Sequence, residues 1–111
     1  MDNSLPSLSE EITQLHADIC SALGDAHRIL ILYTLAEKAY TVNDLADKLT
    51  MSQPATSRHL KTLRERGLVR ASRQGASVEY SLTDARLIEA LDLLRGVLRD
   101  RLTYGASLVE E

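Results

Sequence analysis

The chain has 111 residues, 44% of them hydrophobic and 26% charged, with a net charge of −3. That length suits one domain, here 1–111, with a modest core, and at this apolar content disorder is not the default reading. A single cysteine excludes an intrachain disulfide, and the lack of any run of about 18 apolar residues excludes a spanning helix. The only aromatics are tyrosines, so the core must be built from leucine, isoleucine, valine and alanine. The opening residues MDNSLPSLSEEI hold neither a basic region nor an apolar signal core, which points to a cytoplasmic protein.

Ser7 and Glu10 have the spacing of a capping box, and Ile12, Leu15, Ile19 and Leu23 recur at helical spacing. They predict a first helix over about residues 8–23, ended by Gly24. Asp25 caps a second predicted helix, Ala26 to about Ala36. Its Ile29, Leu30, Ile31, Leu32 and Leu35 are apolar almost all round, as in a helix buried on most sides. Thr41 and Asp44 repeat the capping-box form before Val42, Leu45, Ala46 and Leu49. A break follows at Thr50-Met51-Ser52. Ser52 is a good N-cap and Pro54 sits in the first turn, where its missing amide costs little. This helix should run to about Arg66, with Gly67 as its left-handed stop. Residues 41–67 thus read as a helix–turn–helix.

The second helix of that pair has two faces. Thr56, Leu60 and Leu63 line one side and can seal onto the preceding helix, while Pro54, Arg58 and Lys61 lie opposite. With Gln53 and Ser57 nearby, the open side carries the groups that read base edges and anchor phosphates. The bland alternative is a solvated face in an all-helical domain. Charge distribution favours double-stranded DNA as the partner. Between Ser52 and Ser77 six basic residues face one acid, a local +5 that leaves −8 for the remainder.

Val69 to Arg73 is strand-like, Gln74-Gly75-Ala76 turns, and Val78, Tyr80 and Leu82 alternate as a second strand. This predicts a wing over about 69–82, whose tip residues Arg73, Gln74 and Ser77 suit a phosphate or a minor groove. A last helix, about 84–103, presents Leu87, Leu91, Leu94, Leu98 and Leu102 with Ile88 and Val97 beside them, before a frayed tail after Tyr104. Apolar faces on both terminal helices predict a homodimer built from them; a monomer with both helices folded onto its own core is the alternative. The fold expected is mainly α with a small β-hairpin wing.

The chain resembles the ArsR/SmtB family of bacterial winged helix–turn–helix repressors from about Ile19 to Leu102. ALGDAHRILIL (Ala22 to Leu32) places Asp25 and Arg28 on the family's usual acid and arginine. SQPATSRHLKTLRERGLV (Ser52 to Val69) is similar to its recognition helix, with Ser52, Gln53, Ser57, His59, Leu60, Leu63, Gly67, Leu68 and Val69 in register. RQGASVEYSLT (Arg73 to Thr83) is similar to its wing. The resemblance implies a homodimer that binds an inverted repeat and is released by an effector. The DNA-contacting set is then Ser52, Gln53, Ser57, Arg58, His59, Lys61, Arg73, Gln74 and Ser77.

The effector sites of that family are where the chain departs from it. Many members hold thiophilic metals through a Cys-x-Cys pair; the matching segment TVNDLADKL has no cysteine. Others use an Asp-x-His on the last helix with a His and an acid about three turns later. Asp84 is present, but the remaining positions are Arg86, Val97 and Asp100, which do not make a transition-metal site. Sulfur-sensing members use two cysteines. No cofactor and no metal at those sites is therefore expected, and the effector stays unnamed.

His16 and Cys20, four residues apart, share a helix face and are half a metal site or a redox sensor; a lone cysteine there is also simply a small hydrophobe. His27 reads as solvated. His59 either nears DNA or edges the helix interface. No Ser-His-Asp or Cys-His spacing and no glycine-rich phosphate loop supports an enzyme. A winged helix used for protein contacts is the other non-enzymatic alternative.

Overall fold

A computed structural model describes the backbone over residues 5–110 and the side chains over residues 5–103. Helix α1 (Leu8–Leu15) starts from the expected capping box: Ser7 Oγ accepts from the Glu10 amide at 3.2 Å and Glu10 Oε1 accepts from the Ser7 amide at 2.9 Å. The predicted helix over 8–23 is not continuous. After Leu15 it widens into a π turn, His16–Cys20, and then tightens into a 3₁₀ turn, Ala22–Gly24. The Ser21 amide donates to the His16 carbonyl at 2.9 Å, an i to i−5 bond, and its hydroxyl donates to the Ala17 carbonyl at 2.6 Å. Two arginines, one near in sequence and one distant, stabilise the irregular turns. Arg28 Nε donates to the Ala22 carbonyl at 2.6 Å and Arg66 Nη1 to the Ala17 carbonyl at 2.7 Å.

Helix α2 (Ala26–Glu37) is capped by Asp25, whose carboxylate accepts from the His27 amide at 2.8 Å. Ile31, Leu32 and Leu35 are buried, and the buried Thr34 hydroxyl donates to the Leu30 carbonyl. The helix is covered on most sides, as expected, with Ile29 and Tyr33 partly buried against the core; Leu30 is the exception at 52% exposed. Two residues form β1 (Tyr40–Thr41), a strand too short to show a period in sequence. Helix α3 (Val42–Leu49) follows at once. Thr41 caps it by accepting from the Asp44 amide, but Asp44, one methylene shorter than glutamate, makes no return bond.

Thr50 closes α3 in the left-handed conformation at φ 55°. Its amide donates to Asp47 and the Met51 amide donates to Ala46, which satisfies carbonyls left free at the helix end. Helix α4 (Gln53–Glu65) then starts from Ser52, whose Oγ accepts from the Ala55 amide at 3.2 Å. Its end is a Schellman motif: the Leu68 amide reaches Leu63 at 2.9 Å, the Gly67 amide reaches Arg64 at 3.0 Å, and Gly67 has φ +78°.

Strands β2 (Val69–Gln74) and β3 (Ser77–Leu82) form the hairpin, with Gln74 opposite Ser77. The turn shrinks to Gly75-Ala76. Gly75 alone has positive φ, +62°, as at the first central position of a type II′ turn. Since β1 pairs with the outer edge of β3, Tyr40 against Tyr80, the sheet has three strands in the order β1-β3-β2, not two. Helix α5 (Arg86–Glu110) continues past Tyr104 where fraying was expected; the segment holds no proline, and one glycine weakens a helix without ending it. Glu111 lies outside the described residues.

The core joins Ala22, Ile31, Leu32 and Leu35 with Leu45, Leu60, Leu63, Leu68, Val69 and Leu91. Among the described residues no buried side-chain polar atom lacks a partner, and no helix is long and apolar enough to cross a membrane. The radius of gyration is 17.4 Å, against about 13 Å for a compact chain of this length. The terminal helices account for the excess, and their Leu8, Ile12, Leu15, Leu94, Val97, Leu98 and Leu102 are exposed.

Two stability predictions follow from the caps. A β-branched residue in the left-handed region costs roughly 1–2 kcal/mol, and glycine returns up to about 1 kcal/mol of that as chain entropy. Thr50→Gly should therefore raise the urea midpoint at equal chain concentration; a lower midpoint would mean that the threonine side chain contributes more than its backbone costs. Asp84, whose carboxylate accepts from the amide and guanidinium of Arg86, is held down to about 2 from the ordinary 3.8. A depressed carboxylate contributes stability that is present above its unfolded value and lost as pH falls through its folded one. Asp84→Asn should flatten the stability profile between pH 3.8 and about 2, by a small amount because both groups are exposed. An unchanged slope in acid unfolding would show that the pair contributes nothing.

Candidate nucleic-acid interface

Helix α4 is fixed by its apolar side. Thr56, Leu60 and Leu63, the set expected from spacing, have 0–1% exposure, and the Thr56 hydroxyl donates to the Ser52 carbonyl at 2.8 Å. Each buried leucine contributes roughly 1.5–3 kcal/mol, so the helix cannot roll without losing its core contacts. What remains outside is Ser52, Gln53, Pro54, Ser57, Arg58, Lys61 and Arg64, all exposed. Arg64, three residues after Lys61, extends this face.

The wing stands beside α4. An open groove of about 400 Å³ between them is lined by Ser57, Lys61, Arg64, Glu65 and Tyr80. At the hairpin tip Arg73, Gln74 and Ser77 are exposed. Gln74 Nε2 donates to Ser72 Oγ at 3.0 Å, and Ser77 Oγ donates to the Gln74 carbonyl at 3.3 Å. These bonds brace the tip. Arg66, counted in the basic cluster, is spent elsewhere: besides the Ala17 carbonyl it lies 3.9 Å from Asp18.

His59 leaves the open face. It is half-buried and turned toward the start of α2, where its ring lies 5.7 Å from that of His27 at an interplanar angle of 17°. Burial is the main cause that holds its pKa below the usual 6.5; Arg28, His27 and Arg58 push the same way against Asp25. His59 is therefore neutral at pH 7 and adds no charge to α4. Asp25 is held below the usual carboxylate range, chiefly by the His27 amide and with help from His59. His27 is exposed, as expected, yet belongs to this group, with Nδ1 3.4 Å from Asp25 Oδ1. Asp25-x-His27 is visible in sequence, but its nearness to His59, 32 residues on, is not. Cys20 is exposed, and neither it nor His16 joins a group of three metal-ligating side chains among the described residues.

A helix anchored through its apolar side, open and basic on the other and flanked by a hairpin, defines a winged helix–turn–helix DNA-binding protein. Residues 25–71 match the family described as bacterial regulatory protein, arsR family. The chain is 36% identical over 90 residues to the biofilm growth-associated repressor of Agrobacterium fabrum, covering 78% of this chain and 76% of that protein. It is 38% identical over 89 residues to the HTH-type transcriptional regulator NmtR of Mycobacterium tuberculosis, covering 80% and 73%. Its fold is similar, with a TM-score of 0.74 at 25% identity, to the homodimeric winged helix-turn-helix DNA-binding domain of Mb0332 from Mycobacterium bovis, covering 92% of this chain and 94% of that one. The chain belongs to the ArsR family. It is a DNA-binding transcriptional regulator and not an enzyme.

Proposed function

We propose that the protein is a cytoplasmic repressor that binds an inverted-repeat operator as a homodimer and leaves it in response to an effector. The observation that carries this reading is the exposed set Gln53, Ser57, Arg58 and Lys61 on α4, opposite the buried Thr56, Leu60 and Leu63. Gln53, Ser57 and Arg58 read base edges. Ser52, Lys61, Arg73, Gln74 and Ser77 hold the duplex backbone, the last three from the wing. His59 acts from behind, setting α4 against α2. The exposed apolar sides of α1 and α5 supply the dimer contact, which agrees with the homodimeric state of the Mb0332 domain.

Arg58→Ala should weaken the preferred operator by about 1–3 kcal/mol and relax its sequence requirement. Arg73→Ala should weaken all duplexes alike and flatten the salt dependence of log affinity by about one unit. Fluorescence anisotropy on matched and scrambled duplexes across a salt series separates the two; a changed base preference in Arg73→Ala with none in Arg58→Ala would invert the assignment.

Two-fold symmetry places half-site centres about 10 base pairs apart or a multiple of that. Leu94→Glu/Leu98→Glu, which puts charges on the exposed face of α5 while leaving the core intact, should sediment as a monomer. It should also bind the operator at least about tenfold more weakly, since the second half-site is no longer linked to the first. A parent protein that sediments as a monomer and footprints one isolated half-site would overturn the dimer.

A further inference from the structure

We infer that Asp25, His27 and His59 form a binding site for one divalent transition-metal ion of the zinc, nickel and cobalt class, joining the start of α2 to α4. One donor atom from each of the three residues lies within 4.8 Å of the other two. Around a tetrahedral ion with bonds of about 2.0–2.1 Å, donors stand roughly 3.3 Å apart. Closing the difference needs small side-chain rotations, and the His27 side chain, 60% exposed, is free to make them.

The donor set suits this class of ion. Two imidazoles and a carboxylate favour zinc, nickel or cobalt over magnesium and calcium, and three protein ligands leave an open position for water. Asp25 Oδ1 already accepts from the His27 amide at 2.8 Å and lies 3.4 Å from His27 Nδ1, so an ion would take the place of the second contact. An imidazole offers one unprotonated nitrogen, and that lone pair is the donor a metal ion takes. Arg28 and Arg58 face the same place and oppose the ion's charge, while the Asp25 carboxylate offsets them.

This site is separate from the His16–Cys20 pair and from the last-helix positions of Asp84, Arg86, Val97 and Asp100. It also does not depend on what α4 binds. Its consequence for α4 is mechanical: the ion ties the residue next to Arg58 to the N-cap of α2, so occupancy biases how α4 is presented.

The test uses chelator-stripped protein titrated with Co²⁺, followed by visible absorption, with Zn²⁺ affinity measured by competition. One ion per chain is expected, together with d–d bands, a raised melting temperature, and paramagnetic shifts on the His27 and His59 imidazoles. His27→Gln and His59→Gln should each weaken binding at least about tenfold, whereas His16→Gln and Cys20→Ser should leave it unchanged. His27 is exposed, so His27→Gln reports on ligation even if His59→Gln perturbs packing. Absence of saturable binding, unchanged affinity in His27→Gln, or loss of binding in Cys20→Ser would each overturn the assignment.

Discussion

Leu60 and Leu63 of α4 share one buried core with Leu45 of α3, Ile31 and Leu32 of α2 and Val69 of β2. A helix of 13 residues is marginal alone in water, so α4 exists because this apolar side is buried. The same contact decides its orientation. With Thr56, Leu60 and Leu63 turned inward, helical geometry sends Gln53, Ser57, Arg58 and Lys61 outward as one surface. The Schellman end at Gly67 then delivers the chain directly into β2, which places the wing beside α4.

The elements around this centre are joined by a few polar ties. Arg66 and Arg28 take carbonyls freed by the π and 3₁₀ turns, holding the end of α1 to α4 and α2. On the far side, the Tyr33 hydroxyl donates to Asp92 at 2.6 Å while the Arg95 guanidinium lies 5.2 Å from the Tyr33 ring centre, linking α2 to α5. These ties fix the bases of the terminal helices and leave their outer apolar sides bare. Arg66, one of the six basic residues between Ser52 and Ser77, thus contacts the end of α1.

Charge is also sorted by the fold. A chain of net charge −3 presents a basic helix and wing because six of its 13 lysines and arginines, against one acid, fall between Ser52 and Ser77. Its bonds to the Ala17 carbonyl and Asp18 then turn Arg66 toward the end of α1. The start of α2 gains the opposite character, an acidic N-cap with two imidazoles beside it. One helix, α4, thus presents a basic polar face to solvent and a histidine to α2.

Caps and periods were legible in the sequence because they are local. Ser7 with Glu10, Asp25, Ser52 and Gly67 act within four residues of the amides and carbonyls they satisfy, and the spacing of Thr56, Leu60 and Leu63 follows from helix geometry alone. The features left to the tertiary structure all depend on partners distant in the chain. β1 is two residues long and exists only because β3 offers an edge. The π turn at His16–Cys20 persists because Arg66, 49 residues from Ala17, takes a carbonyl there. The Asp25, His27 and His59 group arises only when α2 packs on α4. Local hydrogen bonding and periodicity determined the helices and their faces; long-range packing decided which side chains meet, since contacts between residues far apart in sequence leave no period to read.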